Sequence, residues 1–272
     1  MTDELVLGSE DLERLHRHFI NLMCVDSGPA AVVNNWGRPK IYNFSAFVVD
    51  VEGVWLAITA GHVFDELRQA VAAGAALSDW QIDDSMVKDH GYPAYRIALD
   101  LQRDVIFFND DGLDYGAYIL DPMARRALEA SGICPVPEDS WNAEDFTDFP
   151  FWTLIGSPSQ FSELKHDGPS SKRHVTVHLL PLEDRPDGID ETKYCRLYAD
   201  VDFASVADWE KQFNIGGMSG GPIFGTARPP KGAAYRYRLI GIQSAWNRRD
   251  SVALCAAQPF LRALAGLVKQ SR

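Results

Sequence analysis

One heptapeptide restricts this chain more than any other stretch: Gly-Gly-Met-Ser-Gly-Gly-Pro at residues 216–222. A single hydroxyl residue, Ser219, stands among the glycines, directly before an apolar segment. Glycine takes backbone conformations closed to other residues and leaves neighbouring N–H groups uncovered. A serine nucleophile needs this setting, with its Oγ in a cleft and backbone donors near a developing oxyanion. Glycine clusters also form simple turns, so other residues have to decide between a turn and a nucleophile.

The order of residues along the chain restricts which base can serve the serine. The Gly-x-Ser-x-Gly pattern also occurs in α/β-hydrolases, whose base follows the serine. The last histidine here is His178, which precedes Ser219, so that class is excluded. The order Asp, His, Ser would need an acid before His62, and no upstream aspartate has a suitable setting. The order His, Asp, Ser is the one that fits.

His62 is the preferred candidate base. It follows the strongly apolar segment 54–59 through a turn of small residues and opens a helical segment. This position holds an imidazole rigidly at a domain edge, and capping of the helix is its alternative role. The remaining candidates lie in polar loops or on strands, where no partner is evident: His90, His166, His174 and His178.

The acid is selected by its position relative to the strands. Its task would be to hold the imidazole in the right tautomer. Asp114 opens the apolar segment 113–120, which puts its carboxylate at the end of a strand. Asp104 also precedes an apolar strand, whereas Asp110 and Asp111 lie in an Asn-Asp-Asp-Gly turn, where acids usually form the turn itself. Asp114 is preferred, and the other three are alternatives.

Composition and charge exclude several classes of function. The 272 residues are 46% hydrophobic and carry a net charge of −12, so we expect a packed core and no nucleic-acid partner. The start is acidic where a secretory signal is basic, and no apolar run is long enough for a bilayer, which predicts no membrane partner. The four cysteines form no Cys-x-x-Cys pair. We therefore predict a cytoplasmic protein with reduced thiols, and two disulfides only if it is exported.

Short strands dominate both halves of the sequence and predict an all-β protein. Amphipathic spacing predicts a helix over 10–23, and Asp121-Pro122 with a later Gly132 predicts a second helix. Two strand-rich halves around a linker favour two β-barrels packed side by side. The predicted regions are an N-terminal helical extension (1–28), a first β-barrel (29–121), an inter-barrel helix and linker (122–150), a second β-barrel (151–258) and a C-terminal helix (259–272).

These motifs resemble those of the trypsin-like serine peptidases of the chymotrypsin fold, over about residues 30–268. Residues 59–62, Thr-Ala-Gly-His, match the histidine turn of that family. Residues 217–222 match its serine box in full, and 114–117 match its aspartate pattern loosely. Residues 241–244, Gly-Ile-Gln-Ser, resemble its substrate-pairing strand. The resemblance is to intracellular or bacterial members, because no activation sequence is present near the first barrel.

The resemblance implies two six-stranded antiparallel β-barrels with an added helix at each end. It also implies a serine endopeptidase in which His62 deprotonates Ser219 and Asp114 orients His62. The backbone N–H groups of Gly217 and Ser219 would receive the oxyanion, an acyl-enzyme would form, and no metal or organic cofactor would be needed.

The resemblance also implies substrate-binding positions and a regulatory question. Phe213, Ser244 and Trp246 are the expected substrate-binding residues, and Phe213 favours apolar or small side chains. Trp246 would narrow or block the pocket. Met218 stands where digestive members carry the aspartate used in zymogen activation. Two alternatives stay open: a catalytically silent module that binds peptides or a partner protein, and an esterase. The resemblance implies a peptide or protein substrate, and it is compatible with a regulatory partner protein.

Overall fold

The computed structural model describes residues 7–84, 95–142, 148–159, 174–205, 214–227 and 235–272. Their strands form two antiparallel sheets, a seven-stranded sheet and a closed six-stranded barrel. The first half contains α1 (Ser9–His16), β1 (Phe19–Asp26), α2 (Pro29–Asn34), β2 (Lys40–Val51), β3 (Val54–Thr59), α3 (Gly61–Ala72), β4 (Leu77–Asp83), β5 (Tyr95–Arg96), β6 (Val105–Asp110) and β7 (Leu113–Ile119).

The second half begins with two helices and continues as the barrel. Its elements are α4 (Pro122–Ser131), α5 (Glu138–Trp141), β8 (Phe151–Gly156), β9 (Val175–Leu182), β10 (Leu197–Asp202), a 3₁₀ turn (Phe203–Ser205), β11 (Pro222–Ala227), β12 (Arg236–Trp246), β13 (Ser251–Ala256) and α6 (Ala257–Gln270). The predicted all-β class with a helix near each end is confirmed. The first sheet, ordered β5-β4-β1-β2-β3-β7-β6, has one strand more than the predicted six.

The prediction of one helix over 10–23 is wrong in its second half. The helix ends at His16, and Phe19–Asp26 is strand β1, which pairs with β2 on one side and β4 on the other. Consecutive residues such as Phe19 and Ile20 are fully buried, because both faces of this strand are covered. Pairing with distant strands has overridden the local helical spacing. The first sheet therefore includes β1, which lies in the segment predicted as an N-terminal helical extension.

Local signals fixed α4 correctly. The Asp121 carboxylate accepts hydrogen bonds from the backbone N–H groups of Met123 and Ala124, which caps the helix. Gly132 ends it with a left-handed φ of 89°. The segment beyond Gly132 packs on the first sheet: Val136 is fully buried and forms a bridge to Val49, and the Nε1 of buried Trp141 donates to the Asp50 carbonyl at 3.0 Å.

Among the described residues, the buried apolar side chains form three clusters. One packs against the first sheet, one fills the interior of the barrel, and the third lies at the seam between the sheet and the barrel. We use "the seam" for this third cluster, in which Phe47 and Tyr115 of the first sheet meet Phe224 and Cys255 of the barrel. Helix α6 covers it, and the Tyr115 ring stacks on Phe260 at 4.7 Å between centroids. The ends of β3 and β7 reach the same region and bring His62 and Asp114 there.

His18 is a buried neutral imidazole beside the seam. It is 2% exposed, its Nδ1 donates to the Cys134 carbonyl at 2.8 Å, and its Nε2 accepts from the Tyr237 hydroxyl at 2.8 Å. Burial lowers the pKa of His18 from 6.5 to about 4, and the positive charges of Arg14 and Arg17 act in the same direction.

We expect this histidine to make the fold sensitive to acid. Because the folded pKa lies below the ordinary 6.5, the unfolded chain binds the proton more readily. The stabilisation is complete above pH 6.5 and is lost as the pH falls toward 4. The free energy of unfolding should drop by about 2 kcal/mol on this account between pH 7.5 and pH 5. Urea unfolding at the two pH values measures it.

The matched variant for this test is His18→Gln, which keeps a donor and an acceptor but does not titrate. Its pH-dependent loss should be smaller than that of the wild type by the amount assigned to His18. His16, whose pKa burial and His174 lower to about 4, contributes to the loss that remains. An unchanged pH dependence in His18→Gln would contradict the assignment.

Candidate active site

His62 and Asp114, predicted as base and acid, lie in direct contact. The Nδ1 of His62 and Oδ2 of Asp114 are 2.8 Å apart, and the backbone N–H of His62 donates to Oδ1, also at 2.8 Å. His62 is the second residue of α3, directly after β3, and Asp114 is the second residue of β7, which pairs with β3. A carboxylate only accepts hydrogen bonds, so Nδ1 carries a proton, and Nε2 is the acceptor whenever the imidazole is neutral.

The contact between the two side chains shifts both of their pKa values. Burial lowers the pKa of the His62 imidazole, but the hydrogen bond and charge of Asp114 outweigh it, and the pKa lies above the ordinary 6.5. Burial raises the pKa of the Asp114 carboxyl, but its hydrogen bonds with His62 and Ser244 outweigh this, and the pKa lies below 3.8. Asp114 is thus held as a carboxylate in a site where its side chain is only 4% exposed.

Ser244 forms a hydrogen bond to the carboxylate of Asp114. Its Oγ donates to Oδ2 of Asp114 at 2.7 Å, and both side chains are buried. Together with the two donors of His62, this gives the carboxylate three hydrogen bonds. Ser244 was predicted as a substrate-binding residue, and a supporting contact to the acid is what the structure adds.

Ser219 follows a tight turn that the glycines make possible. The Met218 N–H donates to the Ile215 carbonyl at 3.0 Å, which closes a four-residue turn. Gly217 has a φ of 91°, the value that the third position of a type II turn requires. A Cβ there would lie 2.6 Å from the Ser159 nitrogen. The turn therefore depends on glycine both for its backbone angle and for space.

The serine loop is fastened to the first sheet. The Ser45 hydroxyl, on β2, donates to the Gly217 carbonyl at 3.2 Å and accepts from the Ser157 N–H at 2.9 Å. Gly220 packs so closely on Thr59 and Ser45 that a Cβ would lie 2.5 Å from the Ser45 carbonyl oxygen. Since Thr59 ends the strand that leads into His62, the serine loop and the histidine turn meet at the seam. Sequence reasoning did not identify Ser45, an ordinary serine within an apolar strand.

The arrangement can be compared with solved structures. The protease Anisep from Arthrobacter nicotinovorans matches with a TM-score of 0.50 and 13% identity, over 92% of this chain and 96% of that one. This chain has the chymotrypsin-like fold. A thermostable serine protease, AL20, from an extremophilic microorganism matches over 92% of this chain and 98% of that one, with 14% identity and a TM-score of 0.46. No protein-family model and no curated protein sequence matches the chain.

Within the chymotrypsin-like fold of this chain, the predicted residues differ in how closely they meet. Ser219 is half-buried in the loop at the seam. In the part of the chain that the structure describes, no hydrogen bond joins its Oγ to His62. The meeting of these two side chains stays a prediction. Phe213 lies outside the described residues, as do His90 and His166.

The structure also locates Trp246 and the alternative acids. Trp246 is half-buried against the barrel core, and its Nε1 is shielded from solvent without a partner among the described residues. The alternative acids have local roles: Oδ2 of Asp104 accepts from the Asp100 N–H, and Oδ1 of Asp111 accepts from the Lys193 N–H. Asp110, at the end of β6, is exposed. The described ranges hold no group of three metal-ligating side chains and no helix able to span a membrane.

Proposed function

We propose that this protein is a serine endopeptidase in which Ser219, His62 and Asp114 act as a catalytic triad. The observation that carries the proposal is the His62–Asp114 pair, hydrogen-bonded at 2.8 Å at the seam where the Ser45 hydroxyl binds the serine loop. Catalytic hydrogen bonds are often long in ligand-free structures and tighten when substrate binds. The missing contact between Ser219 and His62 is compatible with this behaviour.

In the proposed reaction, Ser219 Oγ attacks the carbonyl carbon of a peptide bond while His62 Nε2 takes the hydroxyl proton. The imidazolium that forms is stabilised by the Asp114 carboxylate, which also fixes its orientation. His62 then gives the proton to the leaving amine, the C–N bond breaks, and an acyl-enzyme remains. Water, deprotonated by His62, attacks the ester and releases the acid and the free serine.

The proposed oxyanion hole is supported by unused backbone donors. Among the described residues, the N–H groups of Gly217 and Ser219 donate no hydrogen bond. The Gly216 carbonyl is held by the Ser159 N–H at 2.8 Å. Because carbonyl and N–H point in opposite directions across a trans peptide, the Gly217 N–H points away from Ser159. Two uncommitted donors beside a nucleophile are what a developing oxyanion requires.

A fluorophosphonate probe tests the proposal. Attack by an activated serine forms an O–P bond with loss of fluoride, and the proton of the hydroxyl passes to the base. We expect the purified protein to be labelled, Ser219→Ala to be unlabelled, and Ser78→Ala, which changes an exposed serine on β4, to be labelled like the wild type. Both proteins are then incubated with a denatured protein mixture. New amino termini that appear with the wild type but not with Ser219→Ala would establish peptide-bond cleavage.

The same experiment separates the alternatives. Absence of labelling, both with and without cell extract, would contradict the proposal and favour a silent module that binds peptides or a partner protein. Labelling only with extract would indicate a regulatory partner protein. Labelling with ester turnover but no new termini would indicate an esterase on the same scaffold.

A further inference from the structure

Arg196 forms no ion pair with another side chain in the part of the chain that the structure describes. It stands directly before β10, and its side chain makes no ion pair or hydrogen bond with the rest of the described chain. Its Nε is shielded from solvent and has no partner. Shielding a charged donor without a partner is unfavourable, and buried charges are normally paired. A guanidinium in this state would be stabilised by an anion that hydrogen-bonds to it.

Arg196 faces the seam rather than the inside of the barrel. The next residue, Leu197, packs in the barrel core and pairs with Leu254. Successive side chains of an extended chain point to opposite faces, so Arg196 lies on the outer face, like Cys255 beside Leu254. Burial and the Asp114 charge raise the pKa of the Cys255 thiol and of the Tyr115 hydroxyl, and the Arg196 charge opposes both shifts. Both groups belong to the seam.

The approach of Arg196 to the candidate active site is fixed by its neighbours. The Tyr194 N–H donates to the Asp111 carbonyl at 3.1 Å. Asp111 lies in the turn between β6 and β7, two residues before β7 begins. The Lys193 N–H donates to Oδ1 of Asp111, also at 3.1 Å. The segment is thus bound to the turn that leads into Asp114. In agreement, the positive charge of Arg196 opposes the raised pKa of His62.

An open strand edge lies beside the serine loop, on the side of β12 opposite to β13. Strand β12 pairs with β11 only as far as Ile242, while its other side continues to pair with β13 through Trp246. The Gly220 N–H donates to the Gln243 carbonyl at 2.9 Å, which places this edge directly beside the serine loop. Beyond Gln243, no further described strand covers the edge. An extended peptide added to such an edge gains backbone hydrogen bonds and presents alternate side chains to the walls.

We propose that Arg196 binds an acidic side chain of the peptide held in the cleft, and so selects for aspartate or glutamate at one substrate position. The inference rests on the proposed function of the cleft. The chain carries a net charge of −12, so an acidic peptide is repelled by most of the surface. The Arg196 charge acts on His62 and would reverse that preference locally, and its guanidinium fork fits a carboxylate in two-point contact.

Peptide capture tests the inference without requiring turnover. Ser219→Ala protein is immobilised and offered a positional library of N-acetylated, C-amidated octapeptides, and the bound peptides are sequenced by mass spectrometry. We expect Asp and Glu to be enriched over Asn and Gln at one position by about 10-fold or more, as for a charge-assisted hydrogen bond. Arg196→Gln in the same background should abolish the enrichment, and Arg196→Glu should replace it by a preference for Lys and Arg.

Arg238→Gln is the matched control. Arg238 also has a shielded, unpartnered Nε, but its guanidinium lies over the Phe149 ring, 5.6 Å from the centroid, and not at the seam. This variant should keep the acidic enrichment. Melting temperatures of all variants report whether a lost preference reflects lost folding, and Arg196→Lys, which keeps the charge, should retain part of the preference.

Each outcome decides the inference. Equal capture of acidic and amide peptides, or acidic enrichment that survives Arg196→Gln, overturns it. A second library with free C-termini and no acidic residues distinguishes the source of the carboxylate. If only these peptides are captured and Arg196→Gln abolishes it, Arg196 binds a terminal carboxylate and the side-chain proposal is wrong. Failure of fluorophosphonate labelling would overturn the proposed function alone, because capture uses protein that lacks Ser219.

Discussion

Replacing Asp114 by asparagine is expected to lower kcat/KM for a peptide substrate by about 10⁴-fold. The carboxylate accepts from the His62 Nδ1–H, which leaves Nε2 of the neutral imidazole as the acceptor that the proposed nucleophile requires. An asparagine amide nitrogen at that position would instead donate and would favour the other tautomer. Initial rates on a peptide that the wild type cleaves, with active sites counted by fluorophosphonate labelling at long times, provide the measurement.

The pH dependence gives a second readout of the same change. Base catalysis requires neutral His62, so kcat/KM falls as the pH drops through its pKa, which Asp114 keeps above 6.5. Without the carboxylate, burial and the Arg196 charge are opposed only by Glu66, and the acidic limb should move to lower pH. Asp104→Asn, which removes an exposed acid near the start of β6, should leave rate and profile unchanged. If Asp104→Asn lost all activity while Asp114→Asn kept it, Asp104 rather than Asp114 would be the acid that orients His62.

Gly220→Ala is expected to destabilise the fold by about 3 to 5 kcal/mol and to abolish fluorophosphonate labelling. Gly220 has a φ of 86°, which L side chains rarely adopt. Its added methyl would also lie 2.5 Å from the Ser45 carbonyl oxygen and 2.8 Å from the Ala60 nitrogen. Both neighbours are backbone atoms of the first sheet, so the loop that carries Ser219 would have to move. Urea unfolding, alongside labelling, measures the two effects.

Gly266→Ala is the control for the same exchange. Gly266 lies in α6, where no atom comes within 4 Å of an added Cβ. Alanine loses less backbone entropy than glycine in a helix, so this variant should be more stable by about 0.5 to 1 kcal/mol and should be labelled normally. A Gly220→Ala protein as stable and as reactive as Gly266→Ala would show that the serine loop is not wedged against the first sheet.

Local chemistry made several features predictable. The Asp121 cap and Gly132 stop of α4 are set by neighbouring residues and were found where the sequence predicts them. His62 and Asp114 were selected from chain order and strand ends, and the structure brings them into contact because β3 and β7 pair side by side. The sequence could not indicate that Phe19–Asp26 is a strand, because its identity depends on pairing with β2 and β4.

The sequence by itself determined the fold class, the serine box and the candidates for base and acid, since these follow from backbone propensity, glycine's freedom and the order of residues along the chain. Only the tertiary structure decided that the Ser45 hydroxyl binds the serine loop, that Ser244 donates to Asp114, and that the Arg196 Nε is shielded without a partner among the described residues. These contacts join residues far apart in the chain. Their geometry depends on how two β units pack, and short-range patterns carry no information about that packing.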